Sequence, residues 1–168
     1  MKNETTRKMV ISSLLLALDV LLSRVLAINT PIMKIGLGFV AVAVCGGLYG
    51  PAWTALVAAL GDIVGSLIFP TGAYFPGFTL TAAVTGLIFG LCFQNKIDWK
   101  RAVIAAVLNV VLVSYIGNSA MIAYVSGTAF EAMLKTRAVQ LLVMLPLEAV
   151  LLSVALPVLV NTINKNKN

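Results

Sequence analysis

Between Lys34 and Lys96 the chain carries one charged residue, Asp62. A stretch of that length cannot form the outside of a water-soluble domain, which needs polar and charged groups over its whole surface. It is long enough for three successive bilayer-spanning helices, each using about 20 apolar residues. The rest of the 168 residues follows suit: 60% are hydrophobic, 11% are charged, and the mean hydropathy is +1.01. With short loops, that length accommodates about six such helices in one domain over 1–168. The expected class is therefore an all-α integral membrane protein.

Breakers and charges divide the chain. The polar start MKNETTRK precedes an apolar stretch from Met9 to Ile28. Asp19 and Arg24 interrupt it and no small-x-small cleavage site follows, so it reads as a first spanning helix rather than a signal peptide. Gly50-Pro51 separates a second helix, about 35–50, from a third, about 51–69, because proline suits a first helical turn and disrupts a last one. The turn-rich segment Pro70 to Gly77 separates the third from a fourth, about 77–94. The polar patch Gln94 to Arg101 precedes a fifth, about 102–126. A sixth runs over about 136–163, with Pro146 and Pro157 as expected kinks.

The basic residues then set an orientation. With the N-terminus inside, Lys2, Arg7, Lys8, Lys96, Lys100, Arg101, Lys165 and Lys167 fall in cytoplasmic segments. Lys34, Lys135 and Arg137 fall outside, with Arg24 near the outer end of helix one. Positive charge favours the cytoplasmic side, so both termini are expected there and the loop Pro70–Pro76 outside. The same scattering at the ends of apolar runs accounts for the net charge of +6 without a nucleic-acid partner.

Several chemistries are excluded. The chain has no histidine, which removes Ser/His and Cys/His nucleophilic systems and the usual His-rich metal sites. Cys45 and Cys92 lie inside apolar runs with no Cys-x-x-Cys, as small core residues do. The dipeptide Gly-Lys never occurs, so there is no P-loop for ATP. Any ATP-driven movement needs another subunit, and no cofactor is expected in this chain.

The remaining polar and small residues are the functional candidates. Arg24 is a charge inside a span, which is costly and commonly functional; its rival role is snorkelling to the headgroups. Asp19 lies five residues from Arg24, poor spacing for a pair on one helix face. Asp62 suits a structural cap or a cross-helix pair, and Glu148 fits either a polar network or a site. The outer set Arg24, Lys34, Lys135 and Arg137 faces only Glu131, so a cavity lined this way would prefer an anion. Phe69, Tyr74, Phe75 and Phe78 surround Pro70 and the outer loop; they suit stacking on a flat heterocycle or an interfacial aromatic belt. Asn118 shares a face with Tyr115 and reads equally as helix glue or as a substrate hydrogen-bonder. Among four small-xxx-small pairs, Gly46/Gly50, Gly61/Gly65 and Gly86/Gly90 read as internal packing. Ser13/Ala17, on the cytoplasmic half of helix one, reads as internal packing or as a docking face for a partner helix.

The runs LSRVLAINTP (22–31), GLYGPAWTALVAALGDIVGSLIFPTGAYFPGFTL (47–80) and GLIFGL (86–91) resemble the substrate-binding subunits of energy-coupling factor transporters, most closely the folate-specific group. The match from Leu22 to Leu91 covers about two-fifths of the chain, and FPTGAYFPGFTL (69–80) is its most specific part. The resemblance implies a six-helix, non-enzymatic vitamin-binding subunit with a pocket open to the outside. It would work with a membrane coupling subunit and two cytoplasmic ATPases and topple in the bilayer to carry the vitamin inward. It implies that Ser13 and Ala17 dock on the coupling subunit, with Ser13 departing from the family's usual alanine. It also implies that Arg24 lies at the pocket and that loop 69–78 gates it. Folate, a flat pterin and benzoyl system ending in two carboxylates, suits basic and aromatic residues, whereas thiamine would call for acidic groups outside. Another anionic vitamin such as biotin or pantothenate stays open on the residues alone. A small intramembrane enzyme is disfavoured by the missing histidine and scattered acids, and an autonomous carrier by the lack of an inverted repeat.

Overall fold

The computed structural model describes residues 2–29, 34–70 and 74–165. Within them the chain is helical apart from two short strands, β1 (Ile28–Asn29) and β2 (Lys34–Ile35), which pair antiparallel. Seven α-helices are described: α1 (Lys2–Val20), α2 (Gly38–Tyr49), α3 (Pro51–Ile68), α4 (Pro76–Phe93), α5 (Trp99–Val107), α6 (Asn118–Ser126) and α7 (Phe130–Lys165). A π-helical turn, Leu21–Val25, continues α1, and a longer π-helical segment, Leu108–Gly117, joins α5 to α6 into one rod. Thr71–Ala73 of the expected loop and the side chain of Lys34 lie outside the described residues.

The breaks at Gly50-Pro51 and before Pro76 stand where the sequence places them. Gly50 adopts φ 79°, a conformation open to glycine at little cost, and Pro51 takes the first position of α3. Three helices start earlier than the apolar pattern predicts. α1 begins at Lys2 rather than Met9, α5 at Trp99 rather than 102, and α7 at Phe130 rather than 136. Glu4 and Glu131 occupy the first turns of α1 and α7, and Asp98 precedes α5. Each places negative charge at the positive end of a helix dipole, so the polar flanks extend the helices beyond their apolar cores. α7 continues through both Pro146 and Pro157.

Four helical runs are long and apolar enough to cross a bilayer: Pro51–Ile68, Pro76–Phe93, Trp99–Ser126 and Phe130–Ile163. α2 is apolar but only 12 residues long, about 18 Å against a hydrocarbon core of about 30 Å. α1 with its π-helical turn reaches about 35 Å. Leucines and valines point outward from these helices, Leu67 and Leu142 among them at 74% exposure, as a lipid-facing surface requires.

Inside, glycine lets the backbones approach. A Cβ on Gly90 would collide with the Pro51 backbone, one on Gly86 would come within 2.6 Å of the Thr54 carbonyl, and one on Gly46 within 2.9 Å of the Phe89 backbone. These contacts bring α2, α3 and α4 together at the spacing that small residues permit. Phe89, Phe93, Leu152 and Leu156 fill the interior beside them. At the end where α1 begins, Trp53 Nε1 donates to Ser12 Oγ at 2.7 Å, and Lys8 Nζ sits 4.0 Å above the Trp53 ring. α1 is thereby fastened to α3 by its Ser12 face, leaving Ser13 and Ala17 exposed on the other.

Candidate ligand-binding site

Towards the opposite end, where α1 finishes and α4 begins, the helices enclose a cavity of about 220 Å³. Three threonines on α4 measure its depth. Nearest the mouth, Thr79 donates to Asp62 Oδ2 at 2.9 Å, and its hydroxyl lies 2.9 Å from that of Tyr74. Next, Thr81 donates to Asn118 Oδ1 at 2.8 Å. Deepest, Thr85 donates to Asn109 Oδ1 at 2.7 Å, and Asn109 Nδ2 donates to Glu148 Oε1 at 2.8 Å. From Thr79 to Thr85 the helix descends about 9 Å.

The two π-helical segments supply much of the lining. Ser23 and Arg24 come from Leu21–Val25, and Asn109, Val113 and Ser114 from Leu108–Gly117. Wider turns of this kind re-aim side chains and recur at functional sites. Arg24 donates to Asp62 Oδ1 at 3.1 Å, with both side chains largely buried. Asp19 occupies space left by glycine: a Cβ on Gly38 would collide with its Oδ1, and one on Gly61 would lie 2.7 Å from its Oδ2. Gly65 makes similar room for Arg24, whose Nε would be 3.2 Å from a Cβ there. The Gly61/Gly65 pair thus packs internally by seating the two charged groups of α1 against α3. Phe39, Val42, Ala58 and Met144 form apolar wall.

Of the residues expected to bind the ligand, Arg24 and Asn118 line the cavity. Arg137 stands one residue removed from it. It is buried, its Nε donates to Gln140 Oε1 at 3.0 Å, and its NH1 group donates to Ser119 Oγ at 3.2 Å; Gln140 is the cavity residue. Guanidinium is donor-only, so Arg137 fixes the Gln140 amide by its oxygen. Lys135 is exposed, as are Phe69, Pro70 and Tyr74. Phe75 packs edge-on to Phe78 at 6.2 Å and against Tyr124 at 5.6 Å, a cluster beside the cavity rather than in its lining. Tyr115 donates to the Leu134 carbonyl at 3.0 Å, joining the α5–α6 rod to α7.

The cavity differs from the expected basic, anion-preferring one. Among the described residues, Asp19, Asp62 and Glu148 line it alongside a single cation, Arg24. The sequence marks all three as intramembrane carboxylates, but only the packing of α1, α3 and α7 brings them together. Phe39, Thr85, Asn109, Gln140 and Met144 were not singled out as ligand contacts. The buried polar residues among them carry the one available signal, a hydrogen-bonding group inside an apolar run; Phe39 and Met144 carry none. Among the described residues no group of three His, Cys, Asp or Glu could hold a metal ion.

A family model for the ECF transporter substrate-specific component matches residues 7–165. The chain belongs to that family. As an ECF substrate-specific component it is a multi-pass membrane protein of a transporter, not an enzyme. A folate transporter FolT of Clostridium novyi (strain NT) is 38% identical over 145 residues, 86% of this chain and 84% of the relative. Another, from Leuconostoc mesenteroides subsp. mesenteroides, is 35% identical over 151 residues, 85% and 80% of the two chains. A crystal structure of FolT bound with folic acid shares the fold with a TM-score of 0.81 and 30% identity, covering 88% of this chain and 92% of that one.

Proposed function

We propose that this ECF substrate-specific component binds folate outside the cell and delivers it inward, reorienting in the membrane with a coupling subunit and two ATPases that use ATP. The observation that carries the reading is a cavity of mixed charge and hydrogen-bonding groups within a fold shared, nearly end to end, with folic-acid-bound FolT. The chain forms one membrane domain over 1–168 with six spans. These are α1 with its π-helical turn, α2, α3, α4, the α5–α6 rod and α7. Both termini face the cytoplasm, as the excess of Lys and Arg at that end favours.

The charge layout orients the ligand. An interior lined by carboxyl groups offers the two carboxylates of folate little, so the flat pterin enters and the glutamate tail stays at the mouth. Size agrees, since 220 Å³ is below the roughly 300–1,000 Å³ of sites that enclose a drug-sized ligand whole. Phe39 offers a ring for stacking in the cavity. Asn118 and Gln140 supply amide hydrogen bonds, Gln140 with Arg137 behind it. Arg24, which also donates to Asp62, meets the anionic half of the ligand. Lys135 adds positive potential at the entrance. Phe69, Pro70, Tyr74, Phe75 and Phe78 form the cover over the mouth. Ser13 and Ala17 present α1 to the coupling subunit.

Calorimetric titration of the purified, detergent-solubilised chain with folate tests the reading, with thiamine and biotin as controls. One-to-one binding of folate alone is expected. Binding of biotin instead, or no folate binding by folded protein, would overturn it. Calorimetry suits this chain better than tryptophan fluorescence, because Trp53 and Trp99 open α3 and α5 at the end of the bundle away from the cavity.

The cover has its own test. Tyr74 is tied through Thr79 to Asp62 and thence to Arg24. Replacing Tyr74 with Ala removes the ring and that tie, and is expected to speed folate release roughly 5- to 30-fold, the equivalent of about 1–2 kcal/mol. An unchanged off-rate in a displacement experiment would return Tyr74 to a purely interfacial role.

A further inference from the structure

The floor of the cavity holds a hydrogen-bond chain that runs in one direction. Thr85 donates to Asn109 Oδ1, which fixes the Asn109 amide with its nitrogen towards α7, and that nitrogen donates to Glu148 Oε1. Glu148 is 1% exposed yet lines the cavity. A carboxylate has two acceptor oxygens, and Asn109 engages one. No side-chain oxygen or nitrogen among the described residues is both fully buried and without a partner. The second oxygen of Glu148, Oε2, therefore opens into the cavity instead of being sealed in the apolar core. Val113 and Met144 also line the cavity and bring no hydrogen-bonding groups to it. A group arriving at Oε2 meets an oriented carboxyl oxygen, which N–H donors suit.

We propose that Glu148 reads the inner edge of the ligand, accepting from the 2-amino and N3–H donors of a 2-aminopyrimidin-4-one ring, with Asn109 and Thr85 as positioning residues. The inference rests on the folate reading and assigns the discrimination within it. The bilayer-buried carboxylate selects for the 2-amino group, so an otherwise identical ligand lacking that group is rejected.

The test is a two-by-two calorimetric cycle on the full chain in detergent: wild type and Glu148→Gln, each with folate and with 2-desamino folate, in which hydrogen replaces the 2-amino group. Wild type is expected to bind the desamino compound roughly 10- to 100-fold more weakly, the worth of a hydrogen bond to a charged group. Glu148→Gln should bind the two compounds within about threefold of each other, because its folate affinity falls and the preference goes with it. Thr85→Val, which keeps the shape of the side chain and removes the first donor of the chain, should give an intermediate preference, and decides the matter if Glu148→Gln does not fold. A wild type indifferent to the 2-amino group, or the same preference in the variants as in wild type, overturns the assignment. Failure of wild type to bind folate at all would instead overturn the folate reading on which it rests.

Discussion

Arg24→Ala is expected to bind folate about 2–5 kcal/mol more weakly than the wild-type chain, a loss of roughly 30- to 5,000-fold in affinity. Two losses combine. The guanidinium no longer meets the anionic part of the ligand, and Asp62, which now accepts from Arg24 at 3.1 Å, is left as an uncompensated carboxylate beside an incoming anion. Removing one partner of a largely buried pair commonly costs more than the pair contributes, because the remaining charge stays desolvated. The second loss can be separated from the first. Adding Asp62→Asn to Arg24→Ala removes the stranded charge and should recover part of the affinity, whereas two independent sites would simply add their costs. Titration of Arg24→Ala, Asp62→Asn and the double variant with folate measures this, and wild-type affinity in Arg24→Ala would remove Arg24 from the ligand site.

Ala17→Trp is expected to abolish folate uptake by the assembled transporter while the isolated chain keeps its folate Kd within about twofold. Ala17 lies on the exposed face of α1, among Val10, Leu14 and Leu21, whereas the opposite face is held to α3 through Ser12 and Trp53. Ser13 completes the small-residue surface despite its hydroxyl, because Ser13 Oγ donates back to the Met9 carbonyl at 2.9 Å and presents no free donor to a partner. An indole in this stripe holds a partner helix away from the close approach that small residues allow. Uptake into cells or vesicles containing the complete transporter is the measurement. Normal uptake would mean that the coupling subunit docks elsewhere.

The contrast between these two sites shows how far the sequence reaches. The shared exposed face of Ser13 and Ala17 is legible because a four-residue spacing alone puts them together on one helix. The helix breaks are legible for a similar local reason: Gly50-Pro51 and Pro76 act on the backbone where they stand. Helix starts are less so, since the polar turns at Lys2 and Phe130 continue helices whose apolar pattern has not yet begun. The π-helical segments at Leu21–Val25 and Leu108–Gly117 carry no proline or spacing that announces them, and they aim Arg24 and Asn109 into the cavity.

The sequence by itself determined the membrane class, the principal helix breaks and the identity of the costly groups buried in the bilayer: Asp19, Arg24, Asp62 and Glu148. It did so because an apolar run admits each such group only against a penalty, which makes every one conspicuous. Their grouping was decided by tertiary structure alone. Gly38 and Gly61 admit the Asp19 carboxylate, Arg24 closes on Asp62 across 38 residues of sequence, and Asn109 reaches Glu148 across 39. Contacts of that range depend on how the helices pack, which no local pattern encodes, and they turn an expected basic pocket into one with three carboxylates and a single guanidinium.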